Sequence, residues 1–122
     1  MNEEIKILSK DEILAVDDLK QEVVDVPEWG GAVIVRTMSG IERDEFEASM
    51  INAETRERSL ENFRARLCAM TMVNRNGKRL FPNPEDVKKL GRKSSRALDR
   101  IMKVAQRLNG IGPEDVEELT KN

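Results

Sequence analysis

The sequence predicts an α+β fold, with a small N-terminal antiparallel β-hairpin packed on a mainly α-helical domain, and three observations carry that expectation. Two β-branched runs, Val23-Val24-Asp25-Val26 and Ala32-Val33-Ile34-Val35, flank Pro27-Glu28-Trp29-Gly30-Gly31, the pattern of a hairpin over about 21–37. Ser39 followed three residues later by Glu42 is a capping box that opens a helix directly after the second strand. Apolar residues then recur at helical spacing over most of 40–120, first as Leu60, Phe63, Leu67 and Met70 and later as Leu98, Ile101, Met102, Ala105 and Leu108.

Each element has its own local cause. Ser9 and Glu12 form a first capping box, predicting a short helix over about 10–17 that carries Ile13, Leu14 and Val16. Gln21–Val26 and Ala32–Thr37 are the two strands, and Pro27 is confined to a strand end because it cannot donate to a ladder. The helix from Gly40 to about Asn52 places Ile41, Phe46 and Met50 on one side, with acids in its first turns facing the positive end of the helix dipole. Residues 53–58 lack an apolar face and read as a linker or a solvated helical bridge. Ser59 is placed to cap the central helix. Asn76-Gly77 predicts a second, smaller hairpin or tight reversal. Asn83-Pro84-Glu85-Asp86 opens a short helix that Gly91 stops, and Ser94 or Ser95 opens the last long one, which ends at Asn109-Gly110. Gly112-Pro113 starts a closing helical turn with Val116 and Leu119.

The chain of 122 residues is expected to form one domain spanning 1–122. Charged residues are 36% of the chain, and the 39% that are hydrophobic still suffice for a core. One cysteine, Cys68, excludes an internal disulfide, and Met1-Asn2-Glu3-Glu4 lacks the basic, then apolar, start of a secretory signal, so a reducing cytoplasm is expected. No apolar run approaches the roughly 20 residues that cross a bilayer. Charge is divided unevenly: residues 1–62 hold 16 acids and 7 bases, and residues 63–122 hold 7 acids and 14 bases. Mutual neutralisation across the domain surface is the favoured consequence, and self-association of two copies is a second.

Histidine and tyrosine are absent, which removes the side chain best suited to proton transfer near neutral pH. Glycine-rich phosphate loops, nucleophile elbows and metal-ligand spacings are also missing, so neither catalysis, a metal nor a cofactor is expected. Cys68 lies between Leu67 and Ala69 in an apolar helix and reads as a packed small hydrophobe. Two interaction surfaces are left. Trp29 at the hairpin tip is either a partner anchor or a cap folded over the core, and Met70 and Met72 offer adaptable contacts. Arg92, Lys93, Arg96, Arg100, Lys103 and Arg107 form a basic stripe after a helix and turn, the outline of a nucleic-acid-binding unit. Arg92 and Arg100 fall where such a unit needs apolar locking residues, and no aromatics interleave the stripe to stack bases.

Val26-Pro27-Glu28-Trp29-Gly30-Gly31, followed by Val33-Ile34-Val35-Arg36 and Ser39-Gly40-Ile41-Glu42-Arg43-Asp44, resembles the tail assembly chaperones of long-tailed bacteriophages and their prophages. The later order of Arg66-Leu67, Asn76-Gly77-Lys78-Arg79-Leu80-Phe81, Asp86-Val87, Leu90-Gly91 and Leu108-Asn109-Gly110 is similar too, so the resemblance covers most of 20–122. It implies a non-catalytic protein of the bacterial host cytoplasm that coats the helical tape measure protein, keeps it soluble, helps tail tube protein polymerise around it, and is absent from the finished particle. Many members also exist as a longer product of ribosomal frameshifting. Thr120-Lys121-Asn122 is compatible with a slippery ACA AAA AAC, which would make this chain the short product and leave recruitment of the tube protein mainly to the long one. The resemblance assigns no client-contacting residue, so Trp29, Met70 and Met72 rest on physical grounds alone.

Overall fold

The computed structural model describes residues 4–52, 54–57 and 60–111. Its elements run α1 (Lys10–Ala15), β1 (Gln21–Val26), β2 (Gly31–Arg36), α2 (Gly40–Ser49), α3 (Phe63–Thr71), β3 (Met72–Val73), α4 (Pro84–Leu90) and α5 (Ser95–Leu108). The strands form one antiparallel sheet in the order β1-β2-β3, an α+β architecture with the hairpin at its N-terminal side. Among the described residues, no helix is long and apolar enough to cross a membrane.

The hairpin follows the chain's β-branched pattern. Val24 pairs with Val33 and Glu22 with Val35, and the inward set Val24, Val26 and Val35 is buried. Between the strands Pro27–Trp29 winds into a single 3-10 turn, closed by Gly30 in the left-handed region at φ 71°, a conformation glycine adopts without the Cβ penalty. Both predicted capping boxes form. The Ser9 and Ser39 hydroxyls accept from the amides of Glu12 and Glu42, whose carboxylates accept in return from the serine amides.

Core construction departs from simple helical faces. Phe46 and Met50 of the α2 region are buried, but Ile41, expected on the same side, is 73% exposed, because five residues at 3.6 per turn set it roughly 140° round the helix from Phe46. The central helix α3 starts at Phe63 with Asn62 as its cap residue; Leu60 precedes it and is exposed, while Ser59 lies outside the described residues. Ala65, Leu67, Cys68, Ala69 and Thr71 are all buried, since α3 is enclosed by α2, α4 and α5. Burying a side chain such as Leu67 or Phe46 is worth roughly 1.5–3 kcal/mol. Phe46 and Phe63 meet with tilted rings 5.9 Å apart. Thr71 satisfies its hydroxyl on the Leu67 carbonyl at 2.9 Å. Residues 54–57 form a turn, not a helix: Asn52 and Glu57 close it through a 2.7 Å backbone bond, and the Asn52 side chain accepts from Glu54 and Thr55.

The Asn76-Gly77 reversal occurs as expected, and its first arm becomes β3, which adds to β2 through the pairs Ile34–Val73 and Val35–Met72. Met72 is therefore a strand residue with no exposed surface, which corrects the expectation that it offers a contact to a partner. Gly91 ends α4 in right-handed backbone. Its role is close approach: a Cβ there would stand 2.9 Å from the Asn62 side-chain oxygen. The expected turn at 112–119 lies outside the described residues.

Asn109, just beyond α5, fastens that helix to the sheet. Its carboxamide accepts from the Met38 amide at 2.6 Å and donates to the Ala105 carbonyl at 2.7 Å, while Arg43 donates to its backbone carbonyl at 3.0 Å. Met38 is buried, so Asn109→Ala leaves its amide unpaired, and chemical denaturation should show a loss of about 1–3 kcal/mol with an unchanged m-value.

Candidate interaction site

An open groove of about 520 Å³ lies between α2, α3, α4 and the segment after the Asn76-Gly77 reversal. Phe46, Ala69, Met70, Phe81, Pro82 and Val87 supply its apolar lining. Each arrives for a local reason. Met70 follows the buried Cys68-Ala69 pair at the edge of α3, and Phe81 is held beside it because the Leu80 amide donates to the Met72 carbonyl at 3.1 Å. Pro84 starts α4 in the position where a missing amide hydrogen costs nothing, which turns Val87 inward.

Charges of both signs rim the groove. Arg79 crosses its wall with one guanidinium nitrogen 3.0 Å from the Met70 sulfur and another 3.9 Å from a Glu42 oxygen. Glu42 also accepts from Arg36 at 3.3 Å, and Arg36 donates to the Gly77 carbonyl at 2.7 Å. Arg66 donates to the Ser49 carbonyl, and burial lowers its pKa while the charge of Glu61 opposes that shift. Glu45 and Lys88 complete the border.

Trp29 is half-buried and packs against the core, with its 3-10 turn seated on α5. It lines a smaller cleft of about 390 Å³ with Glu28, Phe81, Leu90 and Lys93. Phe81 thus belongs to both concavities and makes Trp29 and Met70 neighbours of one aromatic residue. Met70 itself is half-buried and faces the groove. Sequence reasoning singled out Trp29 and Met70 but missed the part played by Phe81, whose available signal was an aromatic placed between an Asn-Gly reversal and two prolines.

The basic stripe is divided by the fold. Arg100 donates to both oxygens of Glu28 at 2.9 and 3.0 Å, and Arg107 is ion-paired with Glu22. The Arg100 hydrogen bond lowers the pKa of Glu28, and Glu28 raises that of Arg100. Arg96, Arg100 and Lys103 border a separate cleft beside β1, Lys93 borders the Trp29 cleft, and Arg92 is exposed at the α4–α5 turn. The stripe therefore has hairpin acids within hydrogen-bonding distance at two of its six positions.

Cys68 is enclosed, with its sulfur 3.5 Å from the Leu98 carbonyl, and burial pushes the thiol up to about 12, with the Asp99 charge adding to the shift. A thiol held in its protonated form favours the folded state below its unfolded pKa, near 9, and that contribution disappears as pH rises towards 12. Native protein at pH 8 should resist alkylation by iodoacetamide at Cys68, with reaction appearing on denaturation, as read by intact mass.

A scan of protein-family models, a search of curated proteins and a search of solved structures each return no match to this chain.

Proposed function

We propose that this protein is a non-catalytic tail assembly chaperone that holds an apolar helix of the tape measure protein and assists polymerisation of the tail tube. The resemblance around Pro27-Glu28-Trp29-Gly30 and along the helical region implies that role, and the observation that supports it best is the open groove of Met70, Phe81 and Val87. An amphipathic helix recognises such a surface through apolar residues one turn apart, and charges of both signs at the rim keep the free protein dispersed. Methionine and phenylalanine suit a client with varying sequence, because the flexible thioether re-packs around different side chains. In this reading the chain acts in the bacterial cytoplasm, is absent from the finished particle, and is the short product of a frameshifted gene whose longer product recruits tail tube protein.

Trp29 supports the site from behind, as a residue folded onto the core beside Phe81. The alternative role, a small nucleic-acid-binding regulator acting through the basic stripe, is less well supported because Arg100 and Arg107 are engaged by Glu28 and Glu22. Phosphate contact would have to displace those carboxylates.

Co-expression with a tape measure fragment tests the reading. The wild-type chain should keep the fragment soluble, and Met70→Glu or Phe81→Glu should cut soluble recovery about tenfold, the equivalent of about 1.4 kcal/mol, with the far-ultraviolet spectrum unchanged. Absence of rescue by the wild type, or rescue undiminished by both substitutions, overturns it. Steeply salt-dependent DNA binding that is lost in Arg96→Ala/Lys103→Ala would support the regulator instead.

A further inference from the structure

The hairpin leaves one strand edge open. The Thr37 amide donates to the Lys20 carbonyl at 2.8 Å, so in the ladder that follows the hydrogen-bonded pairs are Glu22–Val35, Val24–Val33 and Val26–Gly31. The amides and carbonyls of Gln21, Val23 and Asp25 consequently point away from β2. Nothing among the described residues accepts from or donates to them, and all three side chains are exposed, Val23 by 69%. An uncovered edge of this kind is a template for a further strand.

We propose that the occupant is a second copy of the same strand, with two chains joined β1 to β1, antiparallel, about a two-fold axis at Val23. This inference is independent of the proposed client groove, which lies on other elements. The edge is self-complementary in that register: Val23 faces Val23, and Gln21 faces Asp25 of the other copy, so an amide meets a carboxylate and no like charges oppose. About six backbone hydrogen bonds form across the axis, because the three outward residues pair with one another. Shifting the strands towards their C-terminal ends would place Pro27, which has no amide hydrogen, opposite Gln21.

Charge complementarity favours the same arrangement on the inner side of the sheet. A cleft of about 500 Å³ opens beside this edge between β1 and α5, lined by Val24, Asp25, Arg96, Asp99, Arg100 and Lys103; Glu28 holds Arg100 and Arg64 holds Asp99, which leaves Arg96 and Lys103 against Asp25. With Val23 on the axis, Glu22 of the second copy lies opposite Val24 at the mouth of the cleft, where its carboxylate exchanges Arg107 of its own chain for Arg96 and Lys103. The two-fold repeats the contact.

Sedimentation equilibrium of the full chain provides the test. The wild type should show twice the monomer mass, and Val23→Lys, which sets two cations face to face, should halve it without changing the circular dichroism spectrum. Gln21→Lys should retain the dimer and make it salt-sensitive, through an ion pair with Asp25 of the other copy. Backbone hydrogen exchange gives a reading that does not depend on any variant folding: the amides of Gln21, Val23 and Asp25 should be protected to the same extent as those of Glu22 and Val24. A monomeric wild type, fast exchange at the three outward amides, or a dimer that survives Val23→Lys overturns the proposal. So does a dimer lost in Ile5→Ser/Ile7→Ser but not in Val23→Lys, which would assign the contact to the exposed arm before α1.

Discussion

The carboxylate of Glu42 ties together the parts of this molecule that are distant in sequence. It caps α2 by accepting from the Ser39 amide, takes the Arg36 guanidinium from the end of β2, and stands 3.9 Å from Arg79 beyond the Asn76-Gly77 reversal. Arg36 in turn reaches the Gly77 carbonyl, so one carboxylate and one guanidinium hold the strand end, the helix start and the reversal together. Both side chains are largely shielded from water, which strengthens their attraction over that of a surface pair. Arg79, drawn in by Glu42, becomes the wall of the Met70–Phe81 groove.

That groove follows from how α3 is buried. A helix enclosed on several sides must present small residues where neighbours approach closely, and Ala65, Cys68 and Ala69 fill those positions. Met70 lies where the enclosure ends. The result is an adaptable apolar side chain bordered by an aromatic and a guanidinium, on a rigid base.

The division of charge along the chain is resolved within the fold. Glu22, Glu28 and Glu42 of the acidic half meet Arg107, Arg100 and Arg79 of the basic half. The Glu22–Arg107 and Glu28–Arg100 pairs link α5 to the hairpin and engage part of the basic stripe. Arg96 and Lys103 are left with Asp25 in the cleft beside the open strand edge.

How much was legible in the sequence differs by element. Local chemistry by itself determined the two capping boxes, the hairpin with its Pro-Glu-Trp-Gly-Gly turn, the Asn76-Gly77 reversal and the limits of α4 and α5, because each depends on residues within a few positions of one another. It also marked Cys68 as a core residue and Trp29 and Met70 as residues of interest. Tertiary structure alone decided that Met72 is a buried strand residue, that Ile41 faces water while Phe46 does not, and that Phe81 joins the surroundings of Trp29 and Met70. It decided as well which acids take which arginines, and that Asn109 satisfies the Met38 amide. These outcomes depend on where elements far apart in the chain meet, and helical or strand periodicity specifies a face without specifying what will cover it.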